Sequence, residues 1–169
     1  MVKVLIKKLD PSVKLPEYKT TGASGMDLIA FIREPLELKP QMSCIVPTGL
    51  AVAFPENYEI QVRPRSGLAS KNNISILNTP GTIDSDYRGE IKVIMYNHGN
   101  KNFVINDGDR IAQMILCPVV KMRLEEAIDL PKTIRGQSGF GSTGKWIWNW
   151  TKIKLNDFQD RSFWKILEL

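Results

Sequence analysis

A chain of 169 residues has room for one domain with a substantial core plus a tail, and is too short for two comfortable domains. With 43% hydrophobic and 24% charged residues it has the composition of a soluble globular protein, and no apolar run approaches the roughly 20 residues a membrane helix needs. The net charge of +5 is modest and spread along the chain, with few aromatics interleaved before residue 145, which argues against a nucleic-acid groove and leaves room for a small anionic substrate.

The opening, MVKVLIKKLD, is a strand pattern without the h-region or cleavage site of a signal peptide, so a cytoplasmic protein is expected. Further strand signals follow at MDLIAFI from Met26, CIVPTGLAVAF from Cys44, YEIQVR from Tyr58, EIKVIMYN from Glu90 and RIAQMILCPVV from Arg110. In YEIQVR, Tyr58, Ile60 and Val62 alternate with Glu59, Gln61 and Arg63, the period of a half-buried strand. Between the runs, Pro and Gly punctuate densely, and SGLASKNN from Ser66 is the one helical candidate, with Ser66 as its cap. Short strands with regular turns predict an all-β sandwich or barrel. Cys44 and Cys117 sit in apolar segments without a CxxC and are expected as buried reduced thiols. His98, the only histidine, lies in the polar stretch YNHGNKN and reads as a solvated loop residue, so no histidine triad or zinc site can be built around it. The chain thus divides into a β body over 1–130, a glycine-rich arm over 131–144 and a tail over 145–169 that holds all four tryptophans. For the tail three readings stand: an appendage docked on the body, a contact for a partner or membrane surface, and a fortuitous extension.

Five short segments combine glycine with charged or hydroxyl residues: ASGMDL (23–28), RPRSGLAS (63–70), NTPGTIDSDYRGE (78–90), GDRIAQM (108–114) and RGQSGFGSTG (135–144). Any one of them alone reads as a turn closing a strand. The third sets Asp84 and Asp86 two positions apart, so on an extended chain both carboxylates share a face and repel. A lone carboxylate near a nucleotide can take a proton from water as the water attacks phosphorus. Gly139 to Lys145 spells GxxxxGK, but Trp146 occupies the Ser/Thr position and no strand precedes it, which rules out a P-loop.

Taken together, in order and spacing, the five segments resemble the motifs of the trimeric dUTP diphosphatase (dUTPase) family, over residues 1 to 144 nearly end to end. The resemblance implies a jelly-roll-like β-barrel homotrimer that hydrolyses dUTP to dUMP and pyrophosphate. It further implies that the third motif of one chain meets the first, second and fourth of its neighbour and the arm of the third chain. Mg²⁺ is expected on the substrate's triphosphate, with no direct protein ligand, and the expected role is to keep uracil out of DNA and supply dUMP for thymidylate synthesis. Asp84 matches the base that activates the attacking water. Asn78, Gly81 and Ile83 belong to the hairpin that takes the uracil, whose backbone groups can satisfy the base's edge and leave cytosine with unpaired polar groups. Tyr87 matches the tyrosine that packs on deoxyribose and excludes a 2′-hydroxyl. Arg65, Ser66 and Gly67 match the phosphate-holding segment, and Gln113 matches the glutamine on the α-phosphate. From the arm, Arg135 is expected on the γ-phosphate, Phe140 over the uracil, and Gly141, Ser142 and Thr143 around the phosphates, closing as a lid. Asp27, Asp109 and Arg110 match supporting positions, as does Asp86, which is expected to pair with Arg88 and so relieve the repulsion. Ser138 stands where the family usually has glycine. Two rivals remain: a dCTP deaminase, which shares the fold but needs a glutamate-centred site, and a binding protein without catalysis.

Overall fold

Eleven short strands and one two-turn helix make up the described part of the computed structural model, residues 1–139. In chain order they are β1 (Leu5–Lys8), β2 (Met26–Ile29), β3 (Leu36–Leu38), β4 (Ser43–Pro47), β5 (Leu50–Ala53), β6 (Tyr58–Arg63), α1 (Ser66–Asn72), β7 (Ile74–Ile76), β8 (Gly81–Ile83), β9 (Lys92–Asn97), β10 (Phe103–Ile105) and β11 (Arg110–Pro118). Every pairing is antiparallel. The largest sheet runs β2-β11-β6-β8, a second runs β4-β9-β7, and two ribbons pair β1 with β5 and β10 with β3. The protein is all-β, and among the described residues no helix is long and apolar enough to cross a membrane.

Alternation builds the core. Ile60 and Val62 of β6, Leu28 of β2 and Ala112 of β11 turn inward, where Val46, Val93, Met95, Ile74 and Ile105 from the other strands meet them in one buried cluster. Two buried polar side chains are tied off. Asn97 donates to the carbonyls of Leu38 at 3.0 Å and Lys101 at 2.8 Å and accepts from the Gly99 amide, while the Thr48 hydroxyl donates to the Ile91 carbonyl at 2.6 Å.

The expected run CIVPTGLAVAF is two strands, broken where Gly49 takes a φ of +66°. Only glycine fits there: a Cβ would come within 2.5 Å of Val13 Cγ2 and 3.0 Å of Phe31 Cδ1. Strands β3, β7, β8 and β10 have three residues each, one and a half periods, too little alternation to read from sequence. The helix falls where expected, but its cap position is Arg65, without a side-chain cap bond, and Ser66 is the first helical residue. His98 is exposed as expected, yet one ring nitrogen lies 2.7 Å from the Ser75 hydroxyl and the ring packs against Tyr96.

The chain divides into two units, Met1–Arg123 and Leu124–Leu169. Phe140, Gly141, Ser142, Thr143 and the tryptophan-bearing tail lie outside the described residues.

Both cysteines are free and half-buried, and burial pushes the Cys44 thiol up from its ordinary value. Less thiolate means slower alkylation. We expect iodoacetamide at neutral pH to label Cys44 measurably more slowly in the native protein than in guanidinium, the rate climbing as pH rises, with peptide mass spectrometry as the readout; equal native and denatured rates would contradict this.

Candidate active site

Strand β11 carries the segment GDRIAQM into the middle of the large sheet. Arg110 and Gln113 are three positions apart and on a regular strand would face opposite sides. They do not, because the register against β2 slips by one residue between Arg110 and Ala112. Arg110 pairs with Ile29 and Gln113 with Asp27, and Ile29 and Asp27 share a face, so the bulge at Ile111 brings Arg110 and Gln113 onto the face of Asp27. Ile111 and Ala112 are both buried in consequence.

Asp27 is the hub of this face. One carboxylate oxygen accepts from Arg65 Nε at 2.8 Å and the other from Arg110 Nη1 at 3.3 Å, and Arg65 Nη1 also donates to the Arg110 carbonyl at 3.2 Å. The Asp27 and Arg65 side chains are 12% and 22% exposed, so their ion pair is partly shielded from water, whereas Arg110 is 53% exposed and its pair is correspondingly weaker. Gln113 is also opposite Arg63 on β6, whose guanidinium donates to Gln61. Beside the cluster an open cleft of about 310 Å³ is lined by Arg65, Leu68, Phe103, Asp109, Arg110 and Ile111. Asp109 closes the turn that feeds β11, accepting from the Asn106 amide at 2.8 Å. Ser66 and Gly67 are exposed at the start of α1, and a Cβ at Gly67 would meet nothing within 4 Å.

Asp84 lies elsewhere. Strand β8 ends at Ile83, opposite Ile60, and the chain then turns, with the Tyr87 amide donating to the Asp84 carbonyl at 3.1 Å. Asp84 and Asp86 are therefore exposed residues of a turn, not neighbours on an extended strand, and the crowding of two carboxylates on one strand face does not arise. The expected pair between Asp86 and Arg88 does not form either. Arg88 Nη1 donates to the carbonyls of Ser85 at 2.6 Å and Tyr87 at 2.9 Å, because the turn presents those oxygens inside its bend. Gly81 is buried and Asn78 exposed, with the Asn78 amide 3.3 Å from where a Gly81 Cβ would stand, and Ile83 packs against the core. Glu90, inside the GTIDSDYRGE string but with no role expected of it, accepts the Gly49 amide at 2.8 Å. In the second unit, Arg135 Nε donates to the Ser138 carbonyl at 2.9 Å, and Gly136 bends the chain with a φ of +51°.

The structure thus brings Asp27, Arg65, Arg110 and Gln113 together and leaves Asp84 apart. Gln113 pairs at Arg63, one end of β6, and Ile83 pairs at Ile60 toward the other, so Asp84 stands about 13 Å along the strand from the arginine cluster. Among the described residues, no three His, Cys, Asp or Glu side chains gather as a metal site.

A β body thus carries two arginines on one carboxylate beside an open cleft, and a separate turn that bears Asp84. Residues 12–144 match the dUTPase family profile. The deoxyuridine 5′-triphosphate nucleotidohydrolase of Treponema denticola is 53% identical over 137 residues, spanning 81% of this chain and 95% of its own. Among solved structures, the Staphylococcus bacteriophage 80alpha dUTPase with dUPNHPP superposes with a TM-score of 0.76 at 25% identity, covering 85% of this chain and 99% of that one. A variant of the dUTPase from phage phi11 of S. aureus, described with a structural Mg(II) ion, superposes with a TM-score of 0.70 at 22% identity over 77% of this chain and 99% of that one. The chain belongs to the dUTPase family, and it is an enzyme of that family.

Proposed function

We propose that the chain hydrolyses dUTP to dUMP and pyrophosphate, as a jelly-roll homotrimer in which neighbouring chains complete each active site. The observation that carries the reading is the separation of Asp84 from the arginine cluster along β6. Each half is unfinished alone: a base without a phosphate site, and a phosphate site without a base. A second copy supplies the missing half, and the arm of a third, with Arg135, Phe140, Gly141, Ser142 and Thr143, closes over both. On this reading the body spans 1–130 and the arm 131–144.

In the assembled site the uracil edge meets backbone groups near Asn78, Gly81 and Ile83. Tyr87 lies on the deoxyribose. Arg65, Ser66 and Gly67 take the phosphates, and Gln113 donates to the α-phosphate. Asp27 holds Arg65 in place through the 2.8 Å bond, with Arg110 as its second partner. Asp84 accepts a proton from water as its oxygen bonds to the α-phosphorus and pyrophosphate departs. Magnesium comes as part of the substrate, bound to phosphate oxygens, where it neutralises charge on the leaving group. The product dUMP serves thymidylate synthesis, and removal of dUTP limits uracil in DNA.

The test is to incubate the protein with Mg²⁺ and dUTP, dTTP, dCTP or UTP and to resolve products by ion exchange. We expect dUMP and pyrophosphate from dUTP alone. Release of an amino group from dCTP would favour the deaminase, and bound but intact dUTP a binding protein. Shared sites are checked by refolding Asp84→Asn and Arg65→Ala chains together: activity above either variant alone is expected, and none would contradict sites built from two chains.

A further inference from the structure

The turn after β8 contains a glycine whose backbone does not ask for one. Gly49, Gly108 and Gly136 occupy the left-handed region, but Gly89 does not, so alanine would fit its φ without strain. What excludes a side chain at 89 is Tyr87. A Cβ there would lie 2.5 Å from Cζ and 2.9 Å from Cε2 of the Tyr87 ring, and closer still to its hydroxyl. The ring is folded back over the bare Cα, and its hydroxyl donates to the Glu90 carbonyl at 3.0 Å.

That carbonyl belongs to a clamped stretch. Glu90 accepts the Gly49 amide at 2.8 Å through its carboxylate, and Lys92 Nζ stands 3.7 Å from the other oxygen. The Ile91 amide donates to the Leu50 carbonyl at 2.8 Å, and the Thr48 hydroxyl donates to the Ile91 carbonyl. An exposed aromatic on a surface turn is thereby referenced to the β4–β5 corner of the core. Tyr87 is 43% exposed, and the floor at 89 and the hydroxyl bond both bear on the height of its ring above the turn.

We propose that Gly89 is a sugar-selectivity position: its missing side chain seats the Tyr87 ring, with the hydroxyl on the clamped Glu90 carbonyl, at the height where the ring meets a deoxyribose and collides with a 2′-hydroxyl. The proposal rests on the reading of Tyr87 given above. A methyl group at 89 lifts the ring off its seat, and because only the free end of one exposed side chain has to move, the fold is not taxed.

Four proteins test it: the parent, Gly89→Ala, Tyr87→Ala and the double variant, each assayed for kcat/KM with dUTP and with UTP. Gly89→Ala is expected to narrow the preference for dUTP over UTP by about tenfold or more, the range set by one small-group clash in a pocket, with the thermal midpoint unmoved. In the Tyr87→Ala background, adding Gly89→Ala is expected to change the preference no further, since both substitutions act through the same ring. A Gly89→Ala preference within about twofold of the parent, or losses that add in the double variant, would overturn the proposal. A parent that leaves dUTP intact is a different result, because it removes the underlying reading and this inference with it.

Discussion

Asp84→Asn is expected to abolish turnover while leaving the substrate bound: kcat for dUTP falls by about 10²–10⁴-fold, the usual contribution of a positioned base, and KM changes little. The substitution replaces one oxygen by an amide of nearly equal size, so it removes the proton acceptor and little else. Asp84 is an exposed turn residue, and the bond that fixes the turn runs from the Tyr87 amide to the Asp84 backbone carbonyl, which asparagine keeps. Stability should therefore be unaffected, and the loss will be chemical. Steady-state kinetics with product separation decides the matter. A variant that retains activity within a few-fold of the parent would remove Asp84 from the reaction, whereas a large rise in KM would make it a binding group.

Asp27→Ala is expected to damage both the fold and the chemistry. Its strongest contact is the 2.8 Å bond from Arg65 Nε, between side chains only 12% and 22% exposed, so deletion leaves a partly buried guanidinium with its charge unmatched. A charge-assisted bond in such a place is worth about 1–3 kcal/mol of unfolding free energy. Arg110, half exposed, adds little to that figure because water can replace its partner. The larger effect is on kcat/KM. Arg65 loses the group that fixes its position, and on the proposed reading of Arg65 as a phosphate contact a misplaced charge of this kind costs about 10²-fold. Asp27→Asn should fall between parent and alanine, since its remaining oxygen can still accept from Arg65 while the charge that holds Arg110 is gone. Chemical denaturation and kinetics on the same preparations check both halves. Unchanged stability together with kcat/KM within a few-fold of the parent would mean that Asp27 organises nothing.

What could be read from the sequence and what could not separates along physical lines. YEIQVR was legible because six residues give three full alternations, and the structure buries Ile60 and Val62 as that pattern demands. The helix from Ser66 was legible from composition, but its cap was not, since only geometry shows Arg65 in the cap position. LEL, ISI, GTI and FVI were not legible as strands, because their pairing partners, not their own patterns, make them so. The glycine-bearing segments of the candidate site fall at the ends of β2, β6, β8 and β11. The expected Asp86–Arg88 pair does not form, because the turn offers Arg88 the backbone carbonyls of Ser85 and Tyr87 instead. The contact of Glu90 leaves no local signal, because its partner, the Gly49 amide, is 41 residues away in the chain.

The bulge at Ile111 has a meaning beyond the contacts it permits. Strand β11 carries two messages written in opposite phase: one half addresses the face of Asp27 on even positions, the other on odd, and a single residue is the comma between them. Drawing Ile111 into regular pairing against β2, with no residue removed, would restore a uniform rhythm. That uniformity would turn either Arg110 or Gln113 toward the apolar interior, and with it a charge or an amide away from the face where Asp27 waits.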